Sequence, residues 1–306
     1  MTPGGNGSII IGGSWNRSDS KADEKYCVES GSDLKIIRFP FFAGILLLFR
    51  FLCLNGGNYL GADIATPTHT DLRERFQQQY SCPGDNGIGT FSAKVSSVQL
   101  TEISRQLRIN EPSITLFFLD PEIFDVEIDQ INDPKARTGG VKDCAEAIGS
   151  AVEGFFRYYL MIGYSNLLKD LPASATIRIS GGNLMVDYFD KHPNQTVSLT
   201  FDSDFRLKKF ETGDSQQGFR SVLLPSWDRI KNRFVLASLD AEYYQRGVEK
   251  AGFISRMKIE NHSEGNFILP GRVTMQVREE TDGKASNTFL DFYFGPYQIN
   301  SPERKE

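Results

Sequence analysis

The side chains able to do chemistry are few in this chain, and their spacing assigns them no reaction. Its 306 residues include three histidines, His69, His192 and His262. His69 stands in a polar lead-in, His192 precedes Pro193, and His262 falls in Asn261–Gly265, which reads as a turn. Loop histidines face solvent more often than they serve as bases or ligands. No G-x-S-x-G elbow, P-loop, helix-opening glycine fingerprint or zinc-type Cys/His spacing occurs. Asp120, Glu122, Asp125, Glu127 and Asp129 form an acidic cluster with period-two components. It suits a cation site or a carboxylate pair, or, more commonly, a solvated strand face. Asp202-Ser203-Asp204 is too short for a calcium loop and reads as a turn. Arg206, Lys208 and Lys209 make a small basic patch without an aromatic platform, and the net charge is −5, so no nucleic-acid partner is expected. No catalytic residue, metal or cofactor is expected. Cys82 and Cys144 could pair in an oxidising compartment or remain two buried thiols; spacing does not choose between them.

The elements carrying these residues are mostly strands. Val197, Leu199 and Phe201 alternate with Thr196, Ser198, Thr200 and Asp202. Val273, Met275 and Val277 alternate with Arg272, Thr274, Gln276 and Arg278, and Leu290, Phe292 and Phe294 with Phe289, Asp291 and Tyr293. A strand sends successive side chains to opposite faces, so the pattern predicts an antiparallel sheet with one covered and one wet side. Earlier strands are expected over 90–100, 101–109, 113–119 and 123–131, and later ones over 176–180, 184–189, 196–202, 205–211 and 219–224. Pro225–Ile230 reads as a turn or short helical piece. Two helical stretches interrupt this order. Leu72–Tyr80 puts Leu72, Phe76 and Tyr80 on one stripe, with Thr70 or Asp71 as cap. Val141–Leu171, without proline until Pro172, reads as one helix or as two broken near Gly154 or Gly163, buried over much of its circumference. It is either core or a lid over a lipid cavity.

Residues 1–33 are polar and glycine-rich and read as a disordered leader, or as sequence upstream of a true start near Val28 or Leu34. Residues 34–62 run from basic Lys35 and Arg38 through the apolar Phe39–Phe49 to Leu60-Gly61-Ala62. That order is a secretory signal peptide cut after Ala62, with an uncleaved anchor or a core segment as alternatives. The apolar run falls short of the roughly 20 residues a membrane crossing needs. Leu52 before Cys53 does not fit a lipidation box. Residues 63–306 then form a single β-rich domain. With 40% hydrophobic and 24% charged residues, global disorder is not expected.

The order of these features resembles the outer-membrane lipoprotein carrier and receptor superfamily. The resemblance rests on Phe76-Gln77-Gln78-Gln79-Tyr80 closing an early helix, on Leu269-Pro270-Gly271-Arg272-Val273, and on a last strand from Thr288-Phe289-Leu290 to Tyr297-Gln298-Ile299-Asn300. It implies an α+β fold, an incomplete antiparallel β-barrel whose curved sheet covers a few helices around an apolar cavity for acyl chains. Residues 141–171 are additional to that order, and the family's cavity arginine has no counterpart that can be assigned. The resemblance implies a periplasmic, non-enzymatic protein that binds lipid or lipoprotein acyl chains near a membrane surface. The cavity wall would then be Val197, Leu199, Phe201, Val273, Met275, Val277, Leu290, Phe292 and Phe294. The same residues serve equally well as a filled core, which would make the chain an interaction protein of the envelope without a ligand. An enzyme would need carboxylates of 120–129 to meet Arg or His in a cleft.

Overall fold

A computed structural model of the chain describes residues 66–120, 123–129, 140–191, 194–214, 218–245, 247–281 and 284–300. The expected leader and signal peptide lie outside the described residues.

Alternation of apolar and polar side chains over much of the chain is resolved into one antiparallel sheet. Its strands are β1 (Phe91–Ser97), β2 (Ile114–Asp120), β3 (Ile123–Ile128), β4 (Thr176–Ser180), β5 (Asn183–Lys191), β6 (Asn194–Phe201), β7 (Leu207–Asp214), β8 (Phe219–Ile230), β9 (Arg233–Gln245), β10 (Phe253–Glu264), β11 (Phe267–Thr281) and β12 (Lys284–Ile299). The spatial order is β3-β2-β1-β12-β11-β10-β9-β8-β7-β6-β5-β4. From β4 to β12 each strand pairs with its sequence neighbour, and β12 then pairs with β1, so the sheet is open with β3 and β4 at its edges. Asn300 fastens that long-range join. Its Oδ1 accepts from the backbone N–H groups of Gly89 at 2.8 Å and Thr90 at 3.3 Å, and its Nδ2 donates to the Gly87 carbonyl at 2.9 Å.

Three α-helices are present among the described residues: α1 (His69–Gln79), α2 (Val98–Leu107) and α3 (Val141–Tyr159), the last running into a π-helical turn at Leu160–Tyr164. The stripe expected on α1 is observed, with Leu72, Phe76 and Tyr80 all buried. The cap is Thr68 rather than Thr70 or Asp71. Asp71 closes a capping box on it, which satisfies two amide donors at the helix start. Tyr80, just past the helix, stacks on Phe76 at 3.9 Å and meets Trp227 edge-on at 4.8 Å. Its hydroxyl donates to the Phe205 carbonyl at 2.8 Å and accepts from the Leu207 N–H at 2.7 Å, which fixes α1 to the β6–β7 connection.

Three local expectations are corrected. The segment expected as a strand over 101–109 lies in α2, because Leu100, Ser104 and Leu107 also fit helical spacing; Leu100 and Ser104 are buried, and Arg108 closes the helix in the left-handed conformation at φ 53°. Pro225–Ile230 is not a turn but the second half of β8, with a bulge between Ser226 and Trp227 that absorbs the irregular pairing. His262 belongs to β10 rather than to a turn; the chain reverses three residues later, where Gly265 takes a positive φ of 59°. The helical expectation over 141–171 holds to Tyr164 only. Gly163 allows the close approach there, since a Cβ would stand 3.3 Å from the Tyr159 ring and 3.5 Å from the Leu236 side chain.

Candidate functional site

The face of the sheet that carries the buried alternate residues is here called the inner face. Pairing register sets out its rows. One row runs Val186, Leu199, Phe210, Leu223, Ala241, Ser255, Val277 and Thr288 across β5 to β12. The next runs Tyr188, Val197, Thr212, Ser221, Tyr243, Phe253, Glu279 and Ser286.

Seven of the nine residues expected to face a cavity are buried, Val197, Leu199, Phe201, Val273, Met275, Phe292 and Phe294, with exposures from 0% to 6%. Val277 and Leu290 are half-buried. The burial around Phe292 and Phe294 has a definite origin. Phe155 of α3 lies 6.2 Å from the Phe292 ring and 5.9 Å from that of Phe294, and Phe156 meets Phe294 edge-on at 5.1 Å. Phe91 and Tyr297 continue the ring cluster, and the Tyr297 hydroxyl donates to the Pro270 carbonyl at 2.8 Å. Leu269-Pro270 and the last strand therefore meet at this end of the inner face. Phe201 stacks on Phe205 at 4.7 Å, beside the Tyr80 anchor.

The inner face is less covered toward the other end of β11 and β12. There Tyr158 of α3 lies 6.4 Å from Tyr243, which meets Phe253 at 5.5 Å, and all three are half-buried. Tyr188 and Val277 lie on the same rows, also half-buried. Hydroxyls are interspersed: Thr212 and Ser221 pair at 2.7 Å, whereas the buried Ser255 Oγ has no hydrogen-bond partner among the described residues. Burial first, and Asp190 second, push the Tyr188 hydroxyl up to about 12; burial raises that of Tyr243 as well. Both phenols are neutral near pH 7. Tyr243, Phe253 and Ser255 were not singled out in the sequence, although Ala241-Glu242-Tyr243-Tyr244 and Phe253-Ile254-Ser255 carry only a weak alternation to find them by.

The opposite, outer face has a groove of about 530 Å³ crossing β8 to β12, lined by Ser226, Asp240, Arg256, Lys258, Gln276 and Phe289. Its charges are mixed, with Arg256 3.8 Å from Asp240, and Phe289 is 61% exposed. Beside it Arg272 holds Asp291 through two hydrogen bonds of 2.6 and 3.0 Å.

The remaining sequence candidates do not converge on a centre. No group of three or more His, Cys, Asp or Glu among the described residues is placed to hold a metal ion. His192 and Glu122 lie outside the described residues, and Asp125 and Glu127 stand on β3. His262 meets Glu264 at 3.2 Å. Arg206 of the basic patch is paired with Asp202 at 2.9 Å and Asp204 at 3.5 Å, so the patch is largely neutralised. No disulfide joins Cys82 to Cys144. Cys82 follows α1, and Cys144 lies in the first turn of α3. Burial, with Asp85 adding to it, pushes the Cys82 thiol up to about 12, which leaves it protonated and unreactive.

No family model, curated protein or solved structure matches this chain. The functional reading therefore rests on the inner face and its neighbours alone.

Proposed function

We propose that this chain is a non-enzymatic binding protein that holds a lipid acyl chain, or another extended apolar molecule, between the inner face of the sheet and α3. In this reading the sheet is an incomplete barrel curved over its helices, and the nine apolar residues from Val197 to Phe294 form its wall and floor. The observation that carries the reading is the gradient along β11 and β12. Val273 and Phe292 are 0% exposed, with the Phe155 ring of α3 against Phe292, while Val277 and Leu290, on the same strands and the same face, are half-buried, Val277 one row from Tyr243 and Phe253. A chain laid over that end would gain about 0.8 kcal/mol for each methylene it buries. It needs few polar contacts to do so. Deeper entry requires Phe155 and Phe156 to move off Phe292 and Phe294.

A role outside the cytoplasm, in carrying acyl chains of lipids or lipoproteins to a membrane surface, follows from the signal-like segment 34–62. Among the described residues no helix is long and apolar enough to cross a membrane.

A second reading has its own observation. Leu199, Phe201, Val273 and Phe292 are 0% exposed, as in a filled core. The sheet would then be a rigid platform whose outer face meets a partner in the envelope. Native mass spectrometry of the protein purified without detergent separates the two. Co-purifying lipid, lost on Tyr243→Asp, supports the binding reading. A single apo mass, together with no uptake of a fluorescent apolar probe, supports the platform.

A further inference from the structure

The outer groove has a composition unlike that of the inner face. Two register rows build it across β8 to β12. One runs Ser226, Ser238, Lys258 and Thr274; the other runs Asp240, Arg256, Gln276 and Phe289. Ser238, Asp240 and Thr274 are half-buried and make a polar floor, while Arg256, Lys258 and Gln276 stand exposed beside it. Phe289, 61% exposed, stands at the β12 end. Adjacent strands lie about 4.8 Å apart, so the five strands span roughly 19 Å. Two carboxylates, Asp228 and Asp240, oppose two cations, Arg256 and Lys258, along the groove. Arg256 stands 3.8 Å from Asp240, beyond hydrogen-bond reach, so both keep donor and acceptor positions for a ligand. The flanking rows are mixed in sign as well, Glu242 with Arg278 on one side and Glu260 with Arg272 on the other.

We propose that this groove binds a neutral, β-linked oligosaccharide, with Phe289 as the platform on which one sugar ring stacks. Nothing in it depends on what the inner face holds. An acyl chain laid here would strip water from a polar floor and return no hydrogen bonds. An anion gains little, because the two carboxylates offset the two cations. A peptide adds to a sheet by pairing with an edge strand, and β8 to β12 all lie inside this one. A sugar ring matches what is left. Each hydroxyl both donates and accepts, so it bonds as well to Asp240 as to Arg256, Gln276 or Thr274. The C–H face of the ring lies flat on an aromatic one, which Phe289 offers uncovered. Equatorial β-linkages keep the chain extended, as a groove crossing five strands requires.

The test is isothermal titration of the full chain with cellopentaose and with chitopentaose. Maltopentaose, whose α-linkages curve it, and pentamannuronate, which is β-linked but anionic, serve as comparisons. At least one of the two neutral β-linked chains is expected to bind more tightly than both comparisons. Phe289→Ala should weaken it about tenfold, the loss of one aromatic stack, and Gln276→Leu about fivefold, the loss of one neutral hydrogen bond. Phe189→Ala removes a ring 46% exposed on the same face of β5, outside the groove, and should leave binding unchanged. Both phenylalanine variants lose an exposed ring and should melt with the parent. No binding of either neutral β-linked chain at millimolar concentration overturns the inference. So does equal or tighter binding of maltopentaose or pentamannuronate, or an equal effect of Phe289→Ala and Phe189→Ala. A dimer in native mass spectrometry that Phe289→Ala dissolves also overturns it and gives the groove to a second copy of the chain. Uptake of the apolar fluorophore N-phenylnaphthylamine, read on the same samples, reports the inner face separately. It should be unchanged in Phe289→Ala; its loss there overturns the inference and gives the groove to an apolar ligand.

Discussion

Two ends of one pair of strands differ in what they meet. Val273 and Phe292 lie opposite each other in β11 and β12, and so do Met275 and Leu290 one step further along the same face. The first pair is sealed: both residues are 0% exposed, beneath rings that α3 lays across β12. Beyond it the cover thins: Met275 is 4% exposed, Leu290 and Val277 are half-buried, and the row past Val277 carries Tyr243, Phe253 and the hydroxyls of Thr212 and Ser221. Residue type on the strands hardly changes between the ends. What changes is the helix above. Phe155 and Phe156 point at the sealed end, whereas Tyr158 reaches toward Tyr243. The lesson is that a sheet face acquires a binding end and a structural end from the register of the helix laid on it.

The largest effect is expected from breaking the sealed end. Phe156→Ala removes a buried ring that contacts Phe91, Phe155, Tyr159 and Phe294. It should cost about 3–5 kcal/mol, read as a lower midpoint in urea unfolding. Tyr80→Phe comes next. It leaves the Leu207 N–H and the Phe205 carbonyl without their partner. The expected loss is about 1–3 kcal/mol with little change in the urea m-value.

The sharpest form of the comparison uses one substitution at two sites of one strand. Val273→Ala should cost about 2–3 kcal/mol, two methyl groups plus a cavity, and Val277→Ala about 1 kcal/mol or less, because water already reaches that site. Equal losses would erase the distinction between the ends. In binding, the ranking should reverse, with Val277→Ala weakening uptake of an apolar probe more than its stability loss suggests.

The smallest effect is read by titration. A tyrosine raised by burial binds its proton more tightly when folded. Its contribution to stability is therefore complete below the unfolded value near 10 and is lost as pH rises through the folded value. Tyr188, at the less covered end, should ionise near 12, ahead of Tyr159 and Tyr297, which burial raises further. An ultraviolet difference titration of the parent and of Tyr188→Phe checks this order. The phenolate that forms near pH 12 should be missing from the variant; its persistence would place Tyr188 with the sealed rings.

Much of the architecture was legible. The stripe Leu72, Phe76, Tyr80 declares a helix with one buried side, and Val197–Phe201 and Val273–Val277 declare strands with one, because local periodicity and local burial coincide there. The 98–107 segment was misread because its few apolar residues satisfy both periods, and packing of Leu100 and Ser104 decided for the helix. Pro225 hid a strand because proline usually marks a turn, whereas here a bulge takes up the irregularity. The orphaned Ser255 and the outer groove gave no sequence signal at all, since each depends on what four or five strands bring to one place.

The amino-acid sequence by itself determined that the sheet has one apolar face, and it named seven residues that are buried there. Whether an apolar side chain is sealed or half-open was decided only by tertiary structure. Periodicity reports which way a side chain points, but its solvent exposure depends on a helix more than a hundred residues away in the chain and on the ring that helix happens to present.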